Sequence, residues 1–195
     1  MLSRPAFFGK LPRHGDFVSR GLPDVLRDGW DEWCSAQLMA ARNALGARFE
    51  ARHDAAPSWR FTVNDGDSWA AGALAPSIDE AGRRFFIMAQ FGELTAAEAL
   101  AWGGPLSAVC EDELYRALAD RIDGEMLLSR LTEAARGLDL SVGPAWNLLE
   151  ASAMADGVWW TEGADAHAAA RAVGRWPPPG TILMHARTDL EAASE

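Results

Sequence analysis

"SWAAGALAPSIDEAGRRFFIMAQF", residues 68–91, decides the fold. Ser68–Leu74 and Arg84–Phe91 are runs of small, aromatic and β-branched residues, and "APSIDEAGR" between them carries the proline, aspartate and glycine of a bend. Such an arrangement predicts an antiparallel hairpin with a long loop. Just upstream, "SWRFTV" over 58–63 reads as another strand, followed by the turn chemistry of "NDGD". Neighbouring strands of this kind imply a sheet.

Working outward, the periodicity changes from two to between three and four. Trp30, Trp33, Cys34, Leu38, Ala41 and Leu45 form the apolar stripe of a helix from Asp28 to Leu45, with Asp24 or Asp28 able to cap it and Gly46 at its end. Thr95 and Glu98 have capping-box spacing, but Gly103-Gly104-Pro105 predicts a break before a second helix over Leu106–Ile122. On that helix Glu111, Asp112, Glu113 and Arg116 are expected to face solvent. Asp123 is placed to cap a further helix through Arg136.

"GVWWTEG", 157–163, reads as a buried strand ending in a turn, with Trp159 and Trp160 on opposite faces. "TILMHAR", 181–187, reads as a last strand, and the acidic residues 188–195 as a frayed tail. At the other end, Pro5–Gly9 reads as a short strand and Gly9–Pro23 as a structured loop. The expected architecture is one α+β domain over 1–187: a mainly antiparallel sheet with helices against both faces, an α/β/α-like sandwich.

Composition narrows the function. Nine tryptophans and eight phenylalanines in 195 residues supply a large aromatic core. The net charge of −10 argues against a general nucleic-acid binder, which needs an extended positive field. Arg4, Lys10, Arg13 and Arg20 against Asp16 alone nonetheless make residues 1–20 a basic spot of +3 on a body of −13. Cys34 and Cys110 form no disulfide or zinc pattern, no secretory signal is read at the start, and no apolar run approaches the roughly 20 residues of a membrane helix. These features point to a reduced, cytoplasmic setting.

"FFGKLPRHGDF", residues 7–17, holds the chain's single lysine among eighteen cationic side chains. It is no phosphate loop, because Arg4 stands where a Walker A sequence needs glycine and Leu11 where it needs serine or threonine. His14 and Asp16, two residues apart, are more readily tied into their own loop than paired for acid–base work. The histidines at 14, 53, 167 and 185 share no ligand spacing, so neither metal nor cofactor is expected. A phosphate-handling or hydrolytic site built on Lys10, His14 and Asp16 is the alternative, and it requires those side chains to converge in a shielded pocket.

Together, "FFGKLPRHGDFVSRGLP", "DGWDEWCSAQLMAAR", "WRF", "WAAGALAPSIDEAGRRF" and "VWWTEG" closely resemble the TagF family of type VI secretion accessory proteins, from about Ala6 to Gly163. The opening signature falls on Phe8, Gly9, Lys10, Leu11, Pro12, Gly15, Asp16 and Phe17; the hairpin signature falls on Pro76, Ser77, Asp79, Gly82 and Arg83. One departure is Arg83-Arg84-Phe85-Phe86-Ile87, where relatives often carry a proline after the aromatic run. Some relatives carry a fused phosphatase domain, which is not expected within these 195 residues, so phosphatase activity is not carried over.

The resemblance implies a cytoplasmic, non-enzymatic, post-translational repressor of type VI secretion that engages a scaffold bearing a forkhead-associated domain. Lys10, Arg13, Asp16, Arg20, Asp79, Arg83 and Arg84 are then the expected partner-binding residues. Phe8, Gly9, Pro12, Gly15, Phe17, Pro76, Ser77, Gly82, Trp159 and Trp160 are expected to be structural. A third arrangement leaves both motifs structural and puts the partner surface on acidic helical faces.

Overall fold

The computed structural model describes residues 4–138, 156–161 and 171–184. Seven strands form one sheet: β1 (Pro5–Gly9), β2 (Val18–Arg20), β3 (Trp59–Asn64), β4 (Trp69–Ile78), β5 (Arg84–Leu94), β6 (Gly157–Trp160) and β7 (Arg171–Val173). Their order is β2-β1-β5-β4-β3-β6-β7, and every pairing is antiparallel. Helices α1 (Asp24–Leu45), α2 (Phe49–Asp54), α3 (Ala96–Asp120), α4 (Gly124–Arg136) and α5 (Thr181–Met184) complete the described fold, with a short 3₁₀ turn at Gly46–Arg48. This is the expected α+β architecture.

Strand alternation sorts the apolar side chains into two cores. Phe7, Ala71, Ala73, Ala75, Ile87, Ala89 and Phe91 face one way and meet Leu106, Cys110 and Leu114 of α3 and Leu127 and Leu131 of α4. Phe8, Phe61, Leu74, Phe86, Met88 and Trp159 face the other and meet Trp30, Trp33, Cys34 and Leu38 of α1. Helices therefore cover both faces of the sheet. Burial pushes the thiols of both Cys34 and Cys110 upward, which keeps them protonated.

Several local expectations are corrected. The hairpin bend is short: β4 runs through Ala75-Pro76-Ser77-Ile78, leaving only Asp79–Arg83 between the strands. Pro76 is tolerated because β3 ends its pairing at Trp59↔Leu74, so this stretch of β4 has a ladder partner on one side only. The opening loop contains the edge strand β2, which pairs with β1 from Phe7↔Arg20 to Gly9↔Val18. Helix α1 starts at Asp24 behind Pro23, and neither Asp24 nor Asp28 caps it; both instead bind Arg27.

Helix α3 does not break at Gly103-Gly104-Pro105. A Cβ on Gly103 would sit 2.6 Å from Thr62 Oγ1, so the missing side chain lets the helix lie directly on β3. Ser107 Oγ lies within hydrogen-bond distance of Phe61 O (3.0 Å) and Gly103 O (2.6 Å), fixing the same contact. Close packing thus outweighs the weak propensity of the glycines and the one backbone bond Pro105 forfeits. The Thr95–Glu98 capping box and the Asp123 cap of α4 form as read.

Glu111 and Glu113 are buried, not solvated. Glu111 accepts from Ser58 Oγ and from Arg60 Nε (2.8 Å), while Tyr115 OH donates to Ser58 Oγ (2.9 Å); Glu113 pairs with Arg116 at 2.5 Å. Thr181–Met184 is a helical turn, not a strand, and puts Ile182 and Leu183 in the α1-side core. Residues 162–163 of the expected turn, 185–187 of the expected last strand, the tail at 188–195, and His167 and His185 lie outside the described residues.

Candidate functional site

The two signature motifs form one object at the end of the sheet where β1 leaves and β5 begins. Register Gly9↔Ile87 brings the start of the opening loop beside the start of β5, and Lys10 N–H continues the ladder by donating to Phe86 O at 2.9 Å. Gly9 has φ +139°, and a Cβ there would lie 2.2 Å from Phe86 O. Only glycine lets the chain leave the sheet at this point.

The β4–β5 turn is built around Asp79. Gly82 N–H donates to Asp79 O (2.9 Å), and Arg83 N–H donates to Asp79 Oδ1 (2.8 Å). Gly82 holds φ +78° with open space around it, so its role is conformational freedom and not close packing. Asp79 Oδ2 receives Lys10 Nζ at 2.8 Å and Arg83 Nε at 2.6 Å. The Asp79 side chain is 0 % exposed and that of Lys10 8 %. Burial raises the Asp79 carboxyl, but the hydrogen bonds from Lys10 and from the Arg83 backbone and guanidinium outweigh it and hold it far below the usual carboxylate range.

Further ties clamp loop to turn. Ser77 Oγ donates to Lys10 O (2.6 Å), Glu80 N–H to His14 O (3.0 Å) and Arg83 Nη2 to Gly15 O (2.5 Å). The loop is also anchored to the α3–α4 corner: Arg121 Nη2 donates to Pro12 O (2.8 Å), and His14 Nε2 accepts from Gly124 N–H (3.2 Å). Phe17 stacks on Phe8 at 5.5 Å and meets Phe85 edge-on at 4.8 Å, with Lys10 Nζ 5.1 Å from its ring centre.

This geometry divides the expected partner-binding residues. Lys10 and Asp79 point inward and neutralise each other, so neither presents its charge outward. Arg84 is committed to α2 through Asp54 (2.8 and 2.7 Å) and Glu50 (3.2 Å). Arg20 is half-exposed and reaches Glu125 of α4 at 2.7 Å. Arg13 and Asp16 are exposed, Asp16 accepting from Phe17 N–H (2.8 Å), and Arg83 exposes 60 % of its side chain even while holding Asp79. Of the structural set, Phe8, Pro12, Ser77, Trp159 and Trp160 are buried, whereas Phe17 is 42 % exposed.

Lys10, His14 and Asp16 do not converge: they are directed to Asp79, to Gly124 and to the loop's own backbone respectively. The sequence groups residues of the loop and of the β4–β5 turn as partner-binding but gives no sign of the α3–α4 anchor. Arg121 sits more than a hundred residues from Pro12, and an isolated arginine after a helix carries no motif.

A seven-stranded antiparallel sheet covered by helices on both faces, with these motifs as a clamped loop and turn, defines an α+β protein, and its family match associates it with type VI secretion. The family is that of the TagF N-terminal domain, type VI secretion system-associated; its model matches residues 6–135, and the chain belongs to it. β6 and β7 lie beyond the match yet extend the same sheet. The fold is similar to the crystal structure of PA0076 from Pseudomonas aeruginosa PAO1 at 2.05 Å resolution, with a TM-score of 0.71 and 26 % identity over 92 % of this chain and 91 % of that one. No curated protein matches the chain. Among the described residues, no helix is long and apolar enough to cross a membrane.

Proposed function

We propose that this type VI secretion-associated chain is a cytoplasmic, non-enzymatic repressor that acts after translation by binding a scaffold protein with a forkhead-associated domain. Family membership supports the secretion context. The observation that carries the binding reading is the division of the opening loop. Its lysine is spent on Asp79 inside the molecule, while Arg13, Asp16, Phe17 and Arg83 are held exposed by a rigid backbone. A preformed polar rim around an exposed aromatic has the composition of a protein-recognition surface, where arginine and aromatic residues contribute most.

The test uses Arg13→Glu combined with Asp16→Asn, the asparagine keeping the oxygen that accepts from Phe17 N–H. Titration calorimetry against the forkhead-associated scaffold should show at least about tenfold weaker binding, with an unchanged melting temperature, and a secretion assay should show loss of repression. Absence of scaffold binding by the wild-type chain, or equal binding by the variant, removes the proposal.

A further inference from the structure

At the opposite end of β1 and β5 from the clamp, a cleft of about 590 Å³ opens on the α1 face of the sheet. Its floor is Gln90, which lies on the same face of β5 as Phe86 and Met88. Gln90 is 3 % exposed, and its amide takes no hydrogen-bond partner among the described residues, although it can donate two and accept two. Next to it on that face is Gly92, whose absent side chain keeps the cleft open.

The walls differ in charge. On the β1 side stand Arg4, without an ion pair among the described residues, and the start of α1 at Leu22, Pro23 and Leu26, whose first turn has no side-chain cap. Asp24 of that turn is engaged by Arg27 and does not line the cleft. Backbone N–H groups and the helix dipole make this a positive wall. Two strands beyond β5 stands Asp65, in the β3–β4 turn, with one carboxylate oxygen occupied by Ser68, while Glu93 of β5 itself lies at the rim between the walls. Glu93 is held at φ +55°, a left-handed conformation that costs a non-glycine residue about 1 kcal/mol or more and that clusters at ligand clamps.

We propose that this cleft binds a short extended peptide with its C-terminal carboxylate on the Arg4 and α1 side, a cationic group on the Asp65 side, and a peptide unit on the Gln90 amide. Sheet order places β5 and β4 between β1 and β3, so Arg4, before β1, and Asp65, after β3, are about three strand spacings, roughly 14 Å, apart at the backbone. The long side chain of Arg4 takes up part of that span, which leaves the length of about three extended residues at 3.3–3.6 Å each. A single amino acid is too short for both charges. The volume falls within the roughly 300–1,000 Å³ range of small-ligand sites.

The test needs no secretion component and stands whether or not the chain represses secretion. Tri-alanine, its N-acetylated form, its C-amidated form and a decapeptide ending in Lys-Ala-Ala, whose lysine supplies the cation, are titrated into the isolated chain by calorimetry and by ¹⁵N-resolved NMR. Tri-alanine should bind and shift the side-chain amide pair of Gln90. Amidation should abolish that binding. Weakening by acetylation assigns the site to free oligopeptides, and binding by the decapeptide assigns it to the tail of a partner protein. Gln90→Leu should weaken binding at least about tenfold, the equivalent of one lost hydrogen bond to a polar ligand in a desolvated site. Gly92→Leu, whose Cβ meets nothing closer than Gln90 Nε2 at 3.7 Å, should plug the cleft and leave the fold intact. No binding by any of the four peptides at millimolar concentration overturns the proposal, as does equal binding of the amidated form or unaltered binding by the two variants.

Discussion

Removing Asp79 should destabilise the chain more than removing its lysine, and removing both should be less harmful than removing Asp79 alone. Asp79 has three donors: Lys10 Nζ at 2.8 Å, Arg83 Nε at 2.6 Å and Arg83 N–H at 2.8 Å. Lys10 Nζ has Asp79 as its ionic partner, with the Phe17 ring 5.1 Å away. Lys10→Met therefore takes one of three donors from the carboxylate and leaves a similar apolar volume, at a cost of about 1–2 kcal/mol. Asp79→Ala leaves a covered ammonium without a counter-ion and a turn N–H without an acceptor. Breaking a buried pair in this way costs about 3–5 kcal/mol, and the low end applies because Arg83, 60 % exposed, keeps its own charge solvated when Asp79 is gone. In Lys10→Met/Asp79→Ala the orphaned charge is gone, so stability should recover by about 1–2 kcal/mol relative to Asp79→Ala.

Urea unfolding at pH 7 reads all four proteins on one scale. The pH dependence carries a second check with a fixed sign. The folded-state pKa of Asp79 is depressed, so its contribution is complete above the ordinary carboxyl value of about 3.9 and is lost as pH falls below it toward the folded value. The wild-type chain should lose more stability than Asp79→Ala between about pH 5 and pH 2. A double variant less stable than Asp79→Ala, or an Asp79→Ala no worse than Lys10→Met, would refute the inward pairing.

Two other outcomes follow from the same region. Gly9→Ala places a Cβ 2.2 Å from Phe86 O and 2.7 Å from Ile87 Cα at a φ of +139°, and since both neighbours are backbone it should cost about 3 kcal/mol or more, seen as a melting temperature lower by several degrees. His53, buried with Nε2 2.7 Å from Phe85 O, has its pKa lowered chiefly by desolvation, so stability should fall as pH drops below about 6.5 toward the folded value; His53→Gln should flatten that slope in urea titrations, and an unchanged slope would assign it elsewhere.

The hairpin was legible because two β-prone runs flank a bend whose Asp79 and Gly82 have defined turn roles. The stripes of α1 and of the second half of α3 were legible because burial on a sheet demands a 3.6-residue repeat. What misled was local chemistry overruled by distant partners. Gly103-Gly104-Pro105 breaks a solvated helix, but here Thr62 and the Phe61 carbonyl supply contacts that the local sequence does not show. Glu111 and Glu113 have the pattern of a wet face, and Ser58 and Arg60, some fifty residues upstream, turn Glu111 into a buried hub. "TILM" is too short for period to separate strand from helix.

The same limit governs the opening loop, and it bears on how a family signature should be read. Charge type and glycine spacing identify Lys10 as unusual, yet they are equally consistent with a ligand-binding lysine and with a buried strut. The discriminating fact is Asp79, 69 residues away, whose place in the turn just past the Ile78↔Arg84 pair fixes which side of the loop its carboxylate meets. Because that carboxylate also organises the turn through Arg83, the lysine and the turn are one unit: a change at either end moves the exposed rim formed by Arg13, Asp16 and Phe17. Loss of partner binding on mutating Lys10 therefore carries no information about contact unless stability is measured beside it. In Arg13→Glu/Asp16→Asn the clamp stays whole, so affinity and melting temperature separate there, and in Lys10→Met they fall together.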